Sequence, residues 1–469
     1  MSALKDAVRR SLEQNGLWHT QARLLCGVSG GCDSVTLLHT LHQLQQEMPF
    51  FLHACHVQHG LRGEASQTDE QFVRELCASL NVPLHVENAG LCGSMHDPGM
   101  ETLARDRRRT IFLRLMEEKR MDALLLAHHR DDQTETVLMH LLRGAGMEGL
   151  CGMKPCVPFG PGLLLRPFLV LPRAVLEASG FPYREDESNR EAVTPRNALR
   201  LQLLPQLEAL FPGASAHIAA AAENLAADER FLSDESARLY RRAVCYTAPL
   251  MTLSRPLLRS APEALVRRVL RCWWQEGLAM AGLSPQERSL SRQDTLALLK
   301  LLFAQGRESC NLPFGLAAVS TGEFLCLLRQ SGQPLREMLP FEETVLPGKA
   351  EYLLPHLRIV QAPAGPALPS GSGEIVLSPQ MLSLSPVLRP AQPDDRIHPF
   401  GAPGSKPLRR FLTDRRIDPV LRRAITVLAV GNDILWIPSL CTAERLRLDR
   451  VPDGSVRLTG AHPFISYRS

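Results

Sequence analysis

Twelve cysteines occur among the 469 residues, yet no two are spaced as CxxC; the closest pair is Cys151 with Cys156. Scattering of this kind argues against a disulfide framework or a cysteine-based metal site and reads as buried or partly buried free thiols. No stretch approaches the ~18 consecutive apolar residues of a membrane span. Glu13, Gln14 and Asn15 stand where a secretory leader would be hydrophobic, so a cytoplasmic protein without membrane attachment is expected. Internal repeats of 20–50 residues are absent, as are the GxxxxGK[ST] and GxGxxG phosphate-binding spacings. Net charge is only +4, too small by itself to nominate a nucleic acid as partner.

What the chain does have is GVSGGCDSVTLLHTL at 27–41. The apolar run 24–28 predicts a short buried strand and 35–44 a helix, so the small residues fall on a strand-to-helix turn. Free N–H groups at a helix start, backed by the positive end of the helix dipole, favour an anion, and glycine lets the backbone approach it closely. Many Gly-rich turns are structural only. Here Ser29, Gly30, Gly31, Cys32, Asp33 and Ser34 match in full, and in the required context, the SGGxDS loop that they resemble: that of the PP-loop ATP pyrophosphatases, which split ATP into AMP and pyrophosphate.

From 24 to 126 strands alternate with helices: strands at 24–28, 51–57, 83–87 and 123–127, helices at 35–44, 67–80 and 102–119. The alternation predicts βαβ units in a doubly wound parallel α/β sheet, whose ligands sit beyond the carboxyl ends of the strands. A catalytic domain is expected over 1–212, closed by Pro212-Gly213. Residues 213–335 read as a mainly helical domain, with a capping box from Ser260 to Glu263 and Trp273 and Trp274 as core on the stripe beyond it. Prolines and glycines thicken over 336–385, a connection with possible strands whose most flexible part is 361–374. Residues 386–469 read as a small α+β domain, in which Gly431-Asn432 separates two β-type runs and Asp418 is a candidate N-cap. Its segment 386–425 carries nine basic residues (Arg389, Arg396, Lys406, Arg409, Arg410, Arg415, Arg416, Arg422, Arg423) against four aspartates. That surplus exceeds the charge of the whole chain and suits a polyanion.

Directly after the fourth strand comes AHHRDDQTET, placing His128, His129, Asp131, Asp132 and Glu135 on the rim where the phosphate loop opens. Zinc favours closed His and Cys sets, whereas an ATP site needs oxygen ligands for Mg²⁺. Glu101, Arg105 and Arg108 form a further set, the two arginines three apart on one helix face and suited to clamp phosphate. His56, His59, Gly60, Arg62 and Gly63 come after the second strand, and Asp186, Ser188, Asn189, Arg196, Asn197 and Arg200 precede an apolar helix.

Taken in order, SGGxDS, HGLRG, ExxARxxR, HHxDDQxET, LLRGxGxxGL, DxSN and RNxxR resemble the bacterial tRNA(Ile)-lysidine synthases, and HPFGAPGSKPLRRFL with GNDILWIP resembles that family's C-terminal tRNA-binding domain. The likeness is close over the first two hundred residues and the last seventy. Arg109, where the family usually has an aromatic residue, and Glu187, where proline is common, depart from it. The resemblance implies adenylation by ATP of the wobble cytidine of a CAU-anticodon tRNA(Ile), loss of pyrophosphate, and displacement of AMP by the ε-amine of free L-lysine. It implies that Asp33 and Asp132 hold Mg²⁺ directly or through water and that Arg105 and Arg108 contact adenylate or phosphate. An amine of pKa ~10.4 must also be deprotonated, for which Glu135 and His128 are both candidates. Arg62, Arg196, Arg200, Lys406, Arg409 and Arg410 are expected against tRNA, and a homodimer is left open.

Rival readings remain. A PP-loop tRNA thiolase commonly needs cysteine pairs or an iron-sulfur cluster; an amide-forming ligase wants an ammonia source; a non-catalytic RNA-binding relative would not need Asp33, Asp132 and Glu135 intact.

Overall fold

The structure, a computed structural model, describes residues 2–58, 64–91, 97, 99–184, 194–247, 250–283, 290–335, 341–354 and 357–461. Packing divides the chain into two units, 1–230 and 231–469. Among the described residues no helix is long and apolar enough to cross a membrane.

In the first unit, β1 (Arg23–Gly27), β2 (Phe51–Gln58), β3 (Leu84–Asn88), β4 (Ala123–Leu125), β5 (Cys156–Phe159) and β6 (Gly162–Leu165) form one sheet in the order β3-β2-β1-β4-β6-β5. All neighbours run parallel except the β5–β6 hairpin. Alternate residues feed two cores: Leu24, Cys26, Ala54, Ala123 and Leu125 on one face, Leu25, Cys55 and Leu124 on the other. Both faces are therefore covered, as a parallel sheet requires. α1 (Ser2–Gln14) and α2 (Cys32–Gln45) pack on the first face, with Leu4, Val8, Leu12, Leu37 and Leu41 fully buried. α3 (Glu64–Ser79) adds Val73 and Cys77 there, while α4 (Met100–Glu118) closes the second face with Phe112, Leu115 and Met116. Arg109, one of the two departures noted in the sequence, lays its guanidinium over the Phe159 ring at 5.0 Å.

The chain winds outward from β1 through β2 to β3, then returns to place β4 on the other side of β1. The carboxyl ends of β1 and β4 thus flank the switch point, where a crevice opens. Gly27 leaves room there: a Cβ would come within 2.6 Å of Leu126 Cδ2, the movable end of that side chain, and 3.3 Å of Phe112 Cζ. Beyond β4 come α5 (Arg130–Leu142), α6 (Met147–Leu150), α7 (Arg173–Glu177), α8 (Pro195–Ala198), a π-helical turn (Leu199–Leu203), α9 (Leu204–Leu210) and α10 (Ala214–Ala243).

The second unit carries the expected helix Glu263–Met280, with Trp273 and Trp274 buried, and in addition the helix Arg292–Phe303 and a five-stranded antiparallel sheet that includes Leu250–Ser254, Phe324–Arg329 and Leu316–Ser320. The expected capping box does not form: Ser260 closes the preceding helix Arg255–Arg259, its hydroxyl bonded to the Leu257 carbonyl, and Pro262 stands at the N-cap. Thr426–Val430 and Asp433–Ile437 pair across Gly431-Asn432 as expected. Asp418 accepts from Val420 N at 2.9 Å, but the helix it introduces is only a 3₁₀ turn, Leu421–Ala424. Within 361–374 the backbone is partly held: residues up to Pro363 finish the strand Leu357–Pro363, and the Ser372 carbonyl accepts from Trp436 Nε1 at 2.8 Å.

Candidate active site

The phosphate loop folds upon itself through its own hydroxyls. Ser34 Oγ donates to Gly31 O at 3.0 Å and accepts from Ser29 N at 3.1 Å, and Ser29 Oγ lies 3.1 Å from Ser34 Oγ. Gly30 takes φ +95°, a left-handed conformation that L side chains rarely adopt. Gly31 is the N-cap of α2 and no side chain caps the helix, so its first N–H groups are left to a ligand. The Cys32 thiol is buried, and burial, reinforced by the Asp33 charge, pushes its pKa up, so it stays protonated; its share in the loop is its backbone. His56, behind the loop, donates from Nδ1 to Val28 O at 2.9 Å.

Around this loop lies a cavity of about 630 Å³, walled by residues 27–34, the end of β2, His128, Asp132, Arg108, Arg173, Arg184 and Arg200. Its size suits a nucleotide. His129 caps α5: Asp132 N donates to His129 Nδ1 at 3.4 Å, and His129 N donates to Asp132 Oδ2 at 3.0 Å. With Nδ1 so engaged, Nε2 faces two carboxylates, Asp33 Oδ2 at 3.6 Å and Asp132 Oδ2 at 3.5 Å. Burial opposes a charge on this ring, but the Asp33 hydrogen bond and the charges of Asp132, Asp33 and Asp131 outweigh it and hold its pKa above the ordinary 6.5.

Asp132 and Glu135 then meet two guanidiniums from a distant part of the chain. Asp132 Oδ1 accepts from Arg196 at 3.0 Å and from Arg200 at 3.1 Å. Glu135, with no exposed surface, accepts from Arg196 Nε at 2.6 Å and from Arg200 Nε at 2.5 Å. The two arginines are four apart, and the π-helical turn that contains Arg200 continues α8 so that both present to the same carboxylates. Burial raises the Asp132 pKa, but His129, Arg196 and His128 overcome it and the carboxyl lies below its ordinary value.

His128 differs from its neighbour. Its Nδ1 is buried with no hydrogen-bond partner. Burial, with the charges of Arg166, Arg196 and Arg108 added, pushes its pKa down to about 3 against the pull of Asp132, so the ring is neutral. Arg108 lines the cavity and Arg105 does not, although the Arg105 charge adjoins both Arg108 and Arg166. Neither Arg105 nor Arg108 has a carboxylate partner among the described residues.

The residues expected to hold Mg²⁺ fit it unequally. Asp33 Oδ1 is buried without a partner, a free hard oxygen, whereas both oxygens of Asp132 are engaged. Mg²⁺ commonly takes one or two carboxylates and completes its shell with substrate phosphates and water, so Asp33 suits direct ligation and Asp132 a contact through water. Among the described residues no group of three or more His, Cys, Asp or Glu side chains is arranged to hold an ion alone.

Other expectations sort differently. Asp131 Oδ2 accepts from Arg173 N at 3.4 Å, at the start of α7. Arg196 and Arg200, expected against tRNA, are three-quarters buried on the carboxylates. Arg62, with His59, Gly60 and Gly63, lies outside the described residues, as do Asp186, Glu187, Ser188 and Asn189; of Glu101 only the backbone is described. Sequence reasoning missed Asp69, Tyr183 and Arg184, which line the cavity. Only Arg184, the first residue of the polar stretch before Arg196, gave any local signal.

In the second unit the basic segment is less free than its count suggests. Arg389 is buried and paired to Asp395 at 2.7 Å. Lys406 is held to Asp414 at 2.7 Å, and Arg422 and Arg423 bond to carbonyls of Ile417 and Gly332. Arg409 and Arg410, on the helix Leu408–Asp414, are exposed.

A family profile for the PP-loop domain matches residues 4–207, and one for the TilS substrate C-terminal domain matches 387–454. The tRNA(Ile)-lysidine synthase of Symbiobacterium thermophilum is 31% identical, with 97% of each chain covered. That of Geobacter sulfurreducens is 31% identical over 97% of this chain and 96% of its own. Among solved structures, a TilS C-terminal domain is similar at 21% identity and a TM-score of 0.24, covering 27% of this chain and 98% of that one.

Proposed function

Since the chain belongs to the tRNA(Ile)-lysidine synthase family of PP-loop ligases, we propose that its phosphate-loop cavity adenylates the wobble cytidine of a CAU-anticodon tRNA(Ile) and then passes the activated carbon to the ε-amine of free L-lysine. Lysidine synthesis on tRNA(Ile), with ATP used at the PP-loop, follows from membership; the division of labour among residues is our reading. The observation that carries it is the convergence of Asp33 and Asp132 on His129 Nε2 beside the open start of α2.

The uncapped N–H groups at the start of α2, residues 32–34, bind the pyrophosphate half of ATP, leaving the α-phosphorus open to the cytidine 2-oxo oxygen. That oxygen forms a new P–O bond while the bond to pyrophosphate breaks. Bound Mg²⁺, held by Asp33 directly and by Asp132 through water, would neutralise phosphate charge during the attack. Arg108 stabilises the same negative charge from the cavity wall, with Arg105 behind it.

Lysine nitrogen then attacks C2, the C2–O bond breaks, and AMP leaves with the oxygen. An ammonium entering a wall that already holds Arg108 and Arg200 loses its proton more readily than in water, since like charges lower its pKa. Glu135 is a poor acceptor for that proton because both its oxygens are held by arginines. His128 is no better an acceptor, since the burial and arginine charges that push its pKa down to about 3 make the ring a weak base, so the proton that the nitrogen sheds as the C–N bond forms leaves to solvent. Arg196 and Arg200 serve chemistry by fixing the carboxylates rather than by binding the tRNA backbone.

In this reading 1–212 is catalytic, 213–335 binds the tRNA substrate, 336–385 is a connection, and Arg409 and Arg410 of 386–469 hold tRNA backbone, with Lys406 beside them paired to Asp414. Its site of action is the cytoplasm, and a homodimer is compatible with it. The test is incubation with labelled lysine, ATP and transcripts of isoleucine and methionine types carrying CAU anticodons. Lysine enters only the isoleucine transcript, with one AMP and one pyrophosphate released; incorporation without AMP release sinks the reading.

A further inference from the structure

The phosphate loop is also gripped from outside, by a piece of chain for which the reaction chemistry has no use. After α7, Ser179 Oγ lies 3.0 Å from Thr36 Oγ1, and the Phe181 ring stacks on His39 of α2 with centroids 3.9 Å apart and planes at 5°. Arg184 adds two bonds: its backbone N–H donates to Gly30 O at 3.0 Å, and its Nε donates to Asp69 Oδ1 of α3 at 3.4 Å. Gly30 is seated on the same helix, since a Cβ there would lie 3.5 Å from Val73 Cγ2 and 3.7 Å from Phe72 Cδ1. The left-handed residue of the loop is thus held between α3 and residues 181–184, and the Arg184–Asp69 pair closes the hold.

In a trans peptide the C=O and N–H point opposite ways. Pinning the Gly30 carbonyl to Arg184 therefore turns the Gly31 N–H the other way, to the inside of the loop, where it donates to Ser29 Oγ at 3.4 Å. Arg184 and Asp69 both line the phosphate-loop cavity, and the pair is partly exposed, at 45% and 27%.

We propose that residues 181–184 are a strap that sets the orientation of the Gly30–Gly31 peptide, and that Arg184, through Gly30 and Asp69, is a positioning residue for the phosphates of ATP. The inference rests on the reading of the loop as the nucleotide site. Arg184→Ala and Asp69→Asn break the side-chain half of the strap and keep its backbone half, so their effect is graded rather than total.

The experiment measures the ATP dissociation constant of the full chain by equilibrium dialysis, and KM for ATP and for lysine in the complete reaction. Both variants weaken ATP about fivefold in dissociation constant and KM. KM for lysine and kcat at saturating ATP stay within about twofold. Arg184→Lys, and the exchanged pair Asp69→Arg with Arg184→Asp, return ATP binding to near wild type. Unchanged ATP constants in Arg184→Ala, or a parallel loss for ATP and lysine that Arg184→Lys does not restore, overturn the strap. Wild-type protein that binds no ATP overturns the nucleotide reading itself.

Discussion

Arg200 Nε donates to Glu135 Oε1 at 2.5 Å across 65 residues of sequence, and the carboxylate it holds has no solvent-exposed surface. A buried charge is tolerated only when paired and hydrogen-bonded, and Glu135 obtains both from Arg196 and Arg200. The acid therefore does its work as a fixed anchor that locates two guanidiniums beside Asp132.

Glu135→Gln removes the charge but keeps the volume. Since the arginines retain about a quarter of their exposure, the loss is expected at about 2–3 kcal/mol, below that of a fully buried pair. Pyrophosphate release falls by about tenfold or more as Asp132 loses its setting. Denaturant unfolding and a pyrophosphate assay check both; unchanged stability contradicts the anchoring role.

Asp33 is one-third exposed and its Oδ1 lacks a partner, so the fold depends on it little. Asp33→Asn is expected to abolish tRNA-dependent pyrophosphate release while changing stability by less than about 1 kcal/mol. Turnover at the wild-type rate would remove Asp33 from the chemistry.

Arg409→Ala with Arg410→Ala is expected to weaken tRNA binding and to lower the slope of log affinity against log salt by about two, one for each phosphate that is no longer neutralised. ATP binding stays at the wild-type value. A salt slope equal to wild type contradicts the assignment of these exposed residues to the tRNA backbone.

Glu208 ties the start of α10 to α9, accepting from Gly213 N and Ser215 N, each at 2.8 Å. These backbone bonds hold its pKa below the ordinary 4.5. A depressed carboxyl contributes stability that is present above its unfolded value and lost as pH falls through the folded one. The melting temperature of Glu208→Gln is therefore expected below wild type at pH 7, with the gap closing as pH is lowered from about 4.5. A gap that stays constant to pH 3 would refute the linkage.

What could be read from sequence was what neighbouring residues decide. Ser29 to Ser34 bond to one another within five positions, and β1 to β4 each carry their own apolar run, so the loop and the sheet were legible. The clamp on Asp132 and Glu135 was not, because Arg196 and Arg200 come from more than sixty residues away and looked like free cations before an apolar helix. Arg389 misled in the same way: counted as surface charge, it is buried against Asp395, since the turn between them folds the acid back onto it. Ser260 carried a valid capping pattern, but the short helix before it claimed its hydroxyl first. The five-stranded sheet of the second unit was hidden because runs such as Phe324–Arg329 are apolar on every residue but the last, giving no alternation to separate strand from buried helix.

If the phosphate loop leaves the α-phosphorus of ATP open to the cytidine 2-oxo oxygen, that oxygen must depart with AMP, and its fate can be followed by isotope. A tRNA(Ile) transcript bearing ¹⁸O at C2 of the wobble cytidine is converted to completion with ATP and lysine, and the released AMP and pyrophosphate are weighed by mass spectrometry. One ¹⁸O is expected in each AMP and none in pyrophosphate. Unlabelled AMP, with the heavy atom in water or retained in the tRNA, would contradict it.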